Sequence, residues 1–255
     1  MAIKKADAII LHSRKYGETS KILTLYTREF GKMSAMAKGA RGTRSKYLGA
    51  LETFNHVSLV FYQKQGRQLQ YLSDASIEHS FAGVHSQLGK MALAAVACEI
   101  IDKSEQDDQS HPELFELIVD TLTALNQCET GLRNIIRAFQ IQFIALAGFA
   151  PELNACHYCG KADVDEINYL SVQHGFYSCD HCGYQDSTMR TSGYIIRLLR
   201  WFNSISMATA PQAKISKSIG EELDNILSIY LQTHIDALTN LKSVAHLKKL
   251  AHHLK

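Results

Sequence analysis

The amino-acid sequence of 255 residues predicts an α+β fold with two domains. Short β-rich segments separated by turns fill the first 80 residues, and apolar residues recur at helical spacing from about His79 onward. Four of the six cysteines form two C-x-x-C pairs between positions 156 and 182. We therefore expect one domain at residues 1–80 and a mainly helical domain at 81–255, interrupted by a small insert at about 153–187.

The first domain has five segments with the length and composition of β-strands. They are residues 8–11, 22–27, 32–37, 57–62 and 69–72, separated by polar or glycine-containing turns. Five strands of this length suit a small closed barrel, which leaves no exposed sheet edge. The oligonucleotide-binding (OB) fold is a common barrel of this size, and we expect it here.

Helical spacing of apolar residues marks the second domain. The predicted helices cover residues 81–100, 111–125 after an N-cap at Ser110, and 130–147, followed after the insert by 191–206, 218–234 and 239–254. Within the insert, segments 167–172 and 176–178 flank His174-Gly175, which predicts a β-hairpin. The C-terminal helices should return to pack on the earlier ones.

Charge is distributed unevenly along the chain. The formal net charge is +2, but residues 1–80 contain 13 lysines and arginines against 6 acidic residues, a balance of +7. The remaining residues have a balance of −5. Because a basic module attracts polyanions, nucleic acid is the leading candidate partner.

The most concentrated group of cations lies in one predicted loop after the third strand. Between residues 38 and 46 it contains Lys38, Arg41, Arg44 and Lys46 and no acidic residue. Arginine forks and lysine ammonium groups both bind phosphates, so this basic loop is a candidate DNA-binding site. Lys32 and Arg14, with Lys15 and Lys21, extend the same surface if the barrel brings these loops together. The alternative is an ordinary solvated loop.

The cysteine pairs are typical of a metal site. Cys156, Cys159, Cys179 and Cys182 have the spacing of a four-thiolate zinc centre, in which a hairpin brings the two pairs together. Four protein ligands leave no position for water, so one structural Zn²⁺ is expected and not a catalytic one. An iron centre and C-x-x-C thiol redox chemistry are the alternatives.

Other signatures are missing from the sequence. Its N-terminus lacks an apolar leader, and no run approaches the roughly 20 apolar residues needed to cross a bilayer. With cysteines outside a disulfide pattern, we expect a reduced, cytoplasmic protein without a membrane partner. We find no P-loop, nucleotide-binding glycine motif, H-E-x-x-H or nucleophile elbow, so we do not expect an enzyme.

Five further segments carry a recognisable pattern: residues 9–20, 25–31, 37–41, 143–151 before the first cysteine pair, and 241–243. In their combination and spacing they resemble the RecO family of bacterial recombination mediators along essentially the whole chain. The resemblance implies an OB barrel, a helical domain and a zinc insert. It also implies a non-enzymatic protein that binds single- and double-stranded DNA and anneals complementary strands.

The resemblance further implies partners in recombinational repair. Family members act with RecR to help RecA replace single-stranded-DNA-binding protein, SSB, and would be associated with the nucleoid. They recognise the acidic C-terminal tail of SSB through the helical domain, and Arg137 and Arg133 on the third predicted helix are the candidate contacts here. A zinc-containing RNA or tRNA adaptor remains the main alternative function. A thiol oxidoreductase using Cys156 and Cys159 is another.

Overall fold

The computed structural model describes residues 2–47, 49–64, 66–107, 109–183 and 188–253, with side chains up to residue 247. Its contacts divide the chain into two compact units. The first unit consists of Met1–Gln127 and Leu241–Lys255, and the second is Cys128–Asn240. Helices that follow the barrel in sequence therefore group with it, and the expected domain limits at 80 and 81 stay a prediction.

Five strands form a closed barrel at the start of the first unit. They are β1 (Ala2–Tyr16), β2 (Ser20–Thr27), β3 (Gly31–Ala37), β4 (His56–Gln63) and β5 (Leu69–His79). The strand order is β1-β2-β3-β5-β4, with β3 and β5 parallel and the other neighbours antiparallel. The predicted five-stranded OB barrel in an α+β fold is confirmed.

The barrel forms because alternate strand residues are apolar and point inward. Its interior contains Ala8 and Ile10 of β1, Leu25 of β2, and Leu59 and Phe61 of β4, among other buried side chains. A β-bulge interrupts β1 between Ile10 and His12. Ile9 and Leu11 of β1 are buried as well. On the outside of the barrel, the second helix contacts β1 and β2.

Three helices follow in the first unit: α1 (Ala82–Ser86), α2 (Leu88–Ser104) and α3 (Pro112–Gln127). The sequence predicts one helix from about His79, but β5 continues through His79 and the helical segment is divided at Gln87. Gln87 has an extended backbone, with φ −129° and ψ 118°, which separates α1 from α2. The helical character of this region was predicted correctly, and its start and its break were not.

The second unit combines a three-stranded sheet with helices. Its elements are α4 (Leu132–Leu146), β6 (Ile167–Ser171), β7 (Phe176–Cys179), β8 (Thr188–Ser192), α5 (Gly193–Ser204) and α6 (Lys217–His234). The strand order in the sheet is β7-β6-β8. The predicted hairpin is confirmed, with Gly175 in its turn at φ +69°. Thr191 and Ser192 belong to β8 and not to the predicted helix, because β8 pairs with β6 up to Ser192.

The last helix, α7 (Lys242–His253), belongs to the first unit and contacts α2, as the sequence predicts. A carboxylate oxygen of Glu99 accepts the backbone N–H of Lys242 at 3.0 Å, and the other accepts that of Ser243 at 2.7 Å. Glu99 therefore satisfies free N–H groups at the start of α7. Residues 184–187 of the predicted insert and Leu254 of the predicted helix lie outside the described residues.

Candidate nucleic-acid interface and metal centre

Arg41 attaches the basic loop, residues 38–46, to the turn between β1 and β2. Its backbone N–H donates to the carbonyl oxygen of Thr19 at 2.8 Å. Its Nη1 donates to the carbonyl oxygens of Gly17 at 3.2 Å and Glu18 at 3.0 Å, while the side chain stays exposed. The barrel therefore does bring the basic loop and the β1–β2 turn together.

Lys38 and Lys46 lie against β5. The Nζ of Lys38 is 4.8 Å from the centre of the Tyr71 ring. The Nζ of Lys46 donates to the carbonyl oxygen of Ser73 and is 5.2 Å from the Tyr47 ring. Each ammonium group faces aromatic surface, which attracts a cation weakly. The basic loop thus extends from the β1–β2 turn to β5.

Arg44 and Arg14 complete the cationic surface. Arg44 is exposed within the basic loop, and Arg14 is exposed near the end of β1, opposite Ile22 of β2. The turn that follows β1 is hydrogen-bonded to the basic loop through Arg41. Five of the six predicted DNA-binding residues therefore lie at one end of the barrel.

In the next pair of the β1–β2 ladder, Lys15 is opposite Lys21. The Nζ of Lys21, however, lies 3.0 Å from the Oε1 of Glu52, and its side chain is 18% exposed. Lys21 therefore does not extend the surface as predicted.

Lys32, the sixth predicted residue, is placed differently. Its Nζ donates to the carbonyl oxygen of Asp102 at 2.6 Å and lies 3.9 Å from the Oδ1 of the same residue. The side chain is 18% exposed. Lys32 points out of β3 towards the C-terminal end of α2, so it attaches the helix to the barrel. We therefore remove it from the candidate surface.

The four cysteines form one cluster. All four sulfur atoms lie within 4.8 Å of one another. The Sγ atoms of Cys156 and Cys182 are 3.8 Å apart, and those of Cys159 and Cys179 are 3.7 Å apart. Thiolates around a tetrahedral zinc, with Zn–S bonds of about 2.3 Å, are separated by about 3.8 Å. The cluster therefore fits a metal ion of that size and geometry.

The two cysteine pairs have the same backbone geometry. Gly160 follows the first pair and Gly183 the second, with φ of +71° and +72°. Each glycine N–H donates to the carbonyl oxygen of the first cysteine of its pair, Cys156 at 2.9 Å and Cys179 at 3.1 Å. Because side chains other than glycine rarely adopt this φ, the glycines allow each turn to present two sulfurs in one direction.

The thiols of the cluster differ in acidity. Burial acts to raise the pKa of the Cys156 thiol, but backbone N–H donors from Cys159, Cys179 and Tyr158 lower it to about 6. Burial and the neighbouring sulfurs raise the pKa of the Cys182 thiol to about 12. The Cys156 thiolate therefore forms readily, whereas charge repulsion opposes a second thiolate at Cys182. A bound cation would remove that repulsion.

Arg200 and Tyr177 attach the cysteine module, residues 153–182, to α5. Neither residue was identified from the sequence. The Nε of Arg200 donates to the carbonyl oxygen of Leu153 at 2.5 Å, and its Nη2 donates to the Tyr177 hydroxyl at 3.2 Å. The Tyr177 side chain is fully buried, and its carbonyl oxygen accepts the His157 N–H at 3.0 Å. A tyrosine two residues before a cysteine was the available signal, but arginine at position 200 had none.

Arg137, one of the two candidate contacts for the SSB tail, is buried inside the second unit. Its Nε donates to the Oδ1 of Asp224 at 2.7 Å, and its Nη2 donates to the Oδ2 at 3.1 Å and to the carbonyl oxygen of Gly220 at 2.9 Å. Its Nη1 donates to Asn134 at 2.6 Å. The Arg137 side chain is 7% exposed, whereas Arg133, 3.3 Å from Asp224, is 47% exposed.

Comparison with known proteins adds to this geometry. The family model described as "Recombination protein O N terminal" matches residues 1–81, and the one described as "Recombination protein O C terminal" matches residues 85–244. The chain belongs to the RecO family. Membership in this family supports a role in DNA repair and recombination, and the barrel is the family's OB-fold domain.

Curated relatives carry the same family name. A protein named DNA repair protein RecO from Alkaliphilus metalliredigens is 27% identical over 96% of this chain and 99% of its own length. Proteins of the same name from Chloroherpeton thalassium and Anaeromyxobacter sp. strain K are 28% and 31% identical, over 94% and 91% of this chain and 96% and 91% of their own. The likeness thus extends through both units.

A search of the helices for a membrane span gave a negative result. Within the described part of the chain, each helix is either too short or too polar to cross a bilayer.

The cysteine cluster predicts a stoichiometric metal ion. We expect elemental analysis of the purified protein to give one metal ion per chain, and Cys179→Ser to lose it because one of four ligands is removed. The matched control is Cys128→Ser, which changes a cysteine outside the cluster and should keep the metal. Full metal content in Cys179→Ser, or none in the unchanged protein, would contradict the assignment.

Proposed function

We propose that the protein is a non-enzymatic recombination mediator that binds single- and double-stranded DNA and anneals complementary strands. In this proposal it acts with RecR to help RecA load onto DNA coated by SSB. The observation that carries it is the placement of Lys38, Arg41, Arg44, Lys46 and Arg14 at one end of a family OB barrel. The proposed location is the cytoplasm, in association with the nucleoid.

Strand annealing follows from the chemistry of this surface. Two DNA strands repel each other through their phosphates, and a basic surface that neutralises phosphates on both strands lowers that repulsion. Arg41 uses Nη1 for carbonyl groups of the β1–β2 turn, which leaves its other guanidinium donors for a phosphate. Lys38, Arg41 and Arg44 are our leading phosphate contacts.

The metal in the proposal is one structural zinc ion. Cys156, Cys159, Cys179 and Cys182 would fill all four tetrahedral positions, so the ion would hold the insert together without binding a substrate. The sulfur separations of 3.8 Å for Cys156 and Cys182 and 3.7 Å for Cys159 and Cys179 each join one C-x-x-C pair to the other. A thiol oxidoreductase would need only Cys156 and Cys159, whereas all four sulfurs lie within 4.8 Å of one another, which supports a shared metal ion.

Removing three cations from the basic loop tests DNA binding and annealing together. We expect Lys38→Ala/Arg41→Ala/Arg44→Ala to bind DNA of any sequence more weakly. The slope of log affinity against log salt concentration should become shallower by about three, because three phosphate contacts are lost. Annealing of complementary strands, with and without SSB, should slow in parallel. Affinity is measured by titration at several salt concentrations.

The matched control removes three exposed cations from the second unit, in Arg190→Ala/Lys214→Ala/Lys217→Ala. It should bind and anneal DNA like the unchanged protein. Competition with RNA of the same sequence addresses the RNA-adaptor alternative, since an adaptor would prefer the RNA. An unchanged affinity and salt dependence in the basic-loop variant would remove these three residues from the interface.

The proposed contact for the acidic SSB tail is the exposed Arg133, with Arg137 acting through Asp224. A buried arginine with four internal hydrogen bonds positions its partners, because binding a tail would break its bonds to Asp224, Gly220 and Asn134. Gly220 supports this arrangement, since a Cβ there would lie 2.7 Å from the Arg137 Nη2.

The two arginines should therefore differ when each is replaced by alanine. We expect Arg137→Ala to lower the free energy of unfolding by about 2–3 kcal/mol, because charge-assisted hydrogen bonds are lost while the Asp224 side chain, 39% exposed, keeps water and Arg133 as partners. Arg133→Ala should cost about 1 kcal/mol or less and should weaken binding of an SSB tail peptide. Denaturant unfolding and peptide titration measure the two effects. Undiminished tail binding by Arg133→Ala would exclude it from the tail site.

A further inference from the structure

The outer face of the barrel carries a strip of large side chains that are direct neighbours across strands. Ile3 of β1 is opposite Tyr62 of β4, and Tyr62 is opposite Tyr71 of β5. Tyr71 is in turn opposite Met36 of β3. Ile3 is 65% exposed, Tyr62 is 36% exposed and Tyr71 is partly buried. Two tyrosines on neighbouring strands therefore share the solvent face of the barrel.

The two tyrosines are not needed to fill the barrel. Phe61 and Leu72, their neighbours in sequence, are opposite each other inside the core, so alternation along the strands directs Tyr62 and Tyr71 outward. Tyr26, Tyr47, Phe54 and Phe61 of this unit are buried, whereas Tyr16 near the end of β1 is 53% exposed. An aromatic pair opposite each other adds some sheet stability. This contribution to sheet stability does not require lysines beside the pair, so it does not explain why they are there.

Positive charge surrounds the tyrosine pair. The Nζ of Lys38 is 4.8 Å from the Tyr71 ring, and the Nζ of Lys46 contacts the carbonyl oxygen of Ser73, two residues further along β5. On the other side, the exposed Lys5 is two residues beyond Ile3 on β1. The exposed acidic residue nearby on β5 is Asp74, opposite Val60. Three lysines and one acidic residue thus lie near the two tyrosines, and this net positive charge favours binding of a polyanion.

We infer that Tyr62 and Tyr71 form a stacking platform for unpaired bases of single-stranded DNA, whose phosphates continue to Lys38 and the basic loop. The inference rests on the proposed DNA binding and names the part of the surface that distinguishes single strands from duplex. Aromatic rings stack on the face of any base, so the platform is tolerant of sequence. A duplex hides those faces and binds through phosphates alone.

Stacking also suits strand annealing. A base held by its face on Tyr62 or Tyr71 keeps its Watson–Crick edge free, and a complementary strand can pair with that edge. The basic loop meanwhile lowers the repulsion between the two phosphate chains. The platform and the loop therefore perform separate parts of one process, and each can be removed without the other.

The test compares three DNA ligands with a Tyr62→Ala/Tyr71→Ala variant of the full chain. Its affinity for single-stranded oligonucleotides should fall about tenfold or more, while its affinity for duplex should change by less than about twofold. The salt dependence should stay unchanged because no charge is removed. An abasic strand of the same length should bind the unchanged protein and the variant equally. Tyr194→Ala, an exposed tyrosine of the second unit, is the matched control.

Substitution by phenylalanine keeps the aromatic face, so Tyr62→Phe/Tyr71→Phe should retain single-strand affinity. A strand containing 5-iodouracil, crosslinked by light to the unchanged protein, gives a measurement that needs no variant. The expected crosslinked peptides contain Tyr62 or Tyr71, and crosslinks confined to other peptides would overturn the inference. An equal loss of single-strand and duplex affinity in the alanine variant would overturn it too.

These outcomes separate the inference from the proposed function. If the unchanged protein binds no DNA, the proposed function fails. If it binds DNA and loses affinity in Lys38→Ala/Arg41→Ala/Arg44→Ala, but the alanine variant of the tyrosine pair still discriminates against the abasic strand like the unchanged protein, only the stacking platform fails.

Discussion

Closure of the barrel through β1 is the constraint on which the candidate interface depends. The first half of this strand, from Ala2 to Ile9, pairs with β4, and the second half, from Ala8 to Tyr16, pairs with β2. The bulge between Ile10 and His12 lets one strand serve both neighbours. Because β1 continues past the point where β4 begins, the β1–β2 turn stands at one end of the barrel, where Arg41 binds its carbonyl groups.

The basic loop and the cysteine cluster lie in different units of the chain, and this separates their roles. The basic loop belongs to the first unit, while the cysteine cluster belongs to Cys128–Asn240. The cluster organises short strands and two glycine-containing turns that have little apolar core of their own, which is the situation in which a metal contributes folding energy. The basic loop instead depends on Arg41 and on the lysines resting on Tyr71 and Tyr47.

Sequence patterns predicted the features that depend on local spacing. Short β-rich segments separated by turns predicted the barrel, and the two C-x-x-C pairs predicted the cysteine cluster. The patterns could not show what Lys32 and Arg137 contact, because their partners, Asp102 and Asp224, are 70 and 87 residues away. The same limit applies to Tyr62 and Tyr71, since which barrel aromatics face solvent depends on strand register across three strands.

Hydrogen–deuterium exchange of the full chain with and without single-stranded DNA tests the central claim most directly. The claim is that the barrel, through its basic loop, is the DNA-binding surface. The account predicts that DNA slows exchange in residues 38–46 and in the turn at 17–19, while exchange in 156–182 stays unchanged. Slowed exchange confined to the cysteine module, with none in the basic loop, would contradict it.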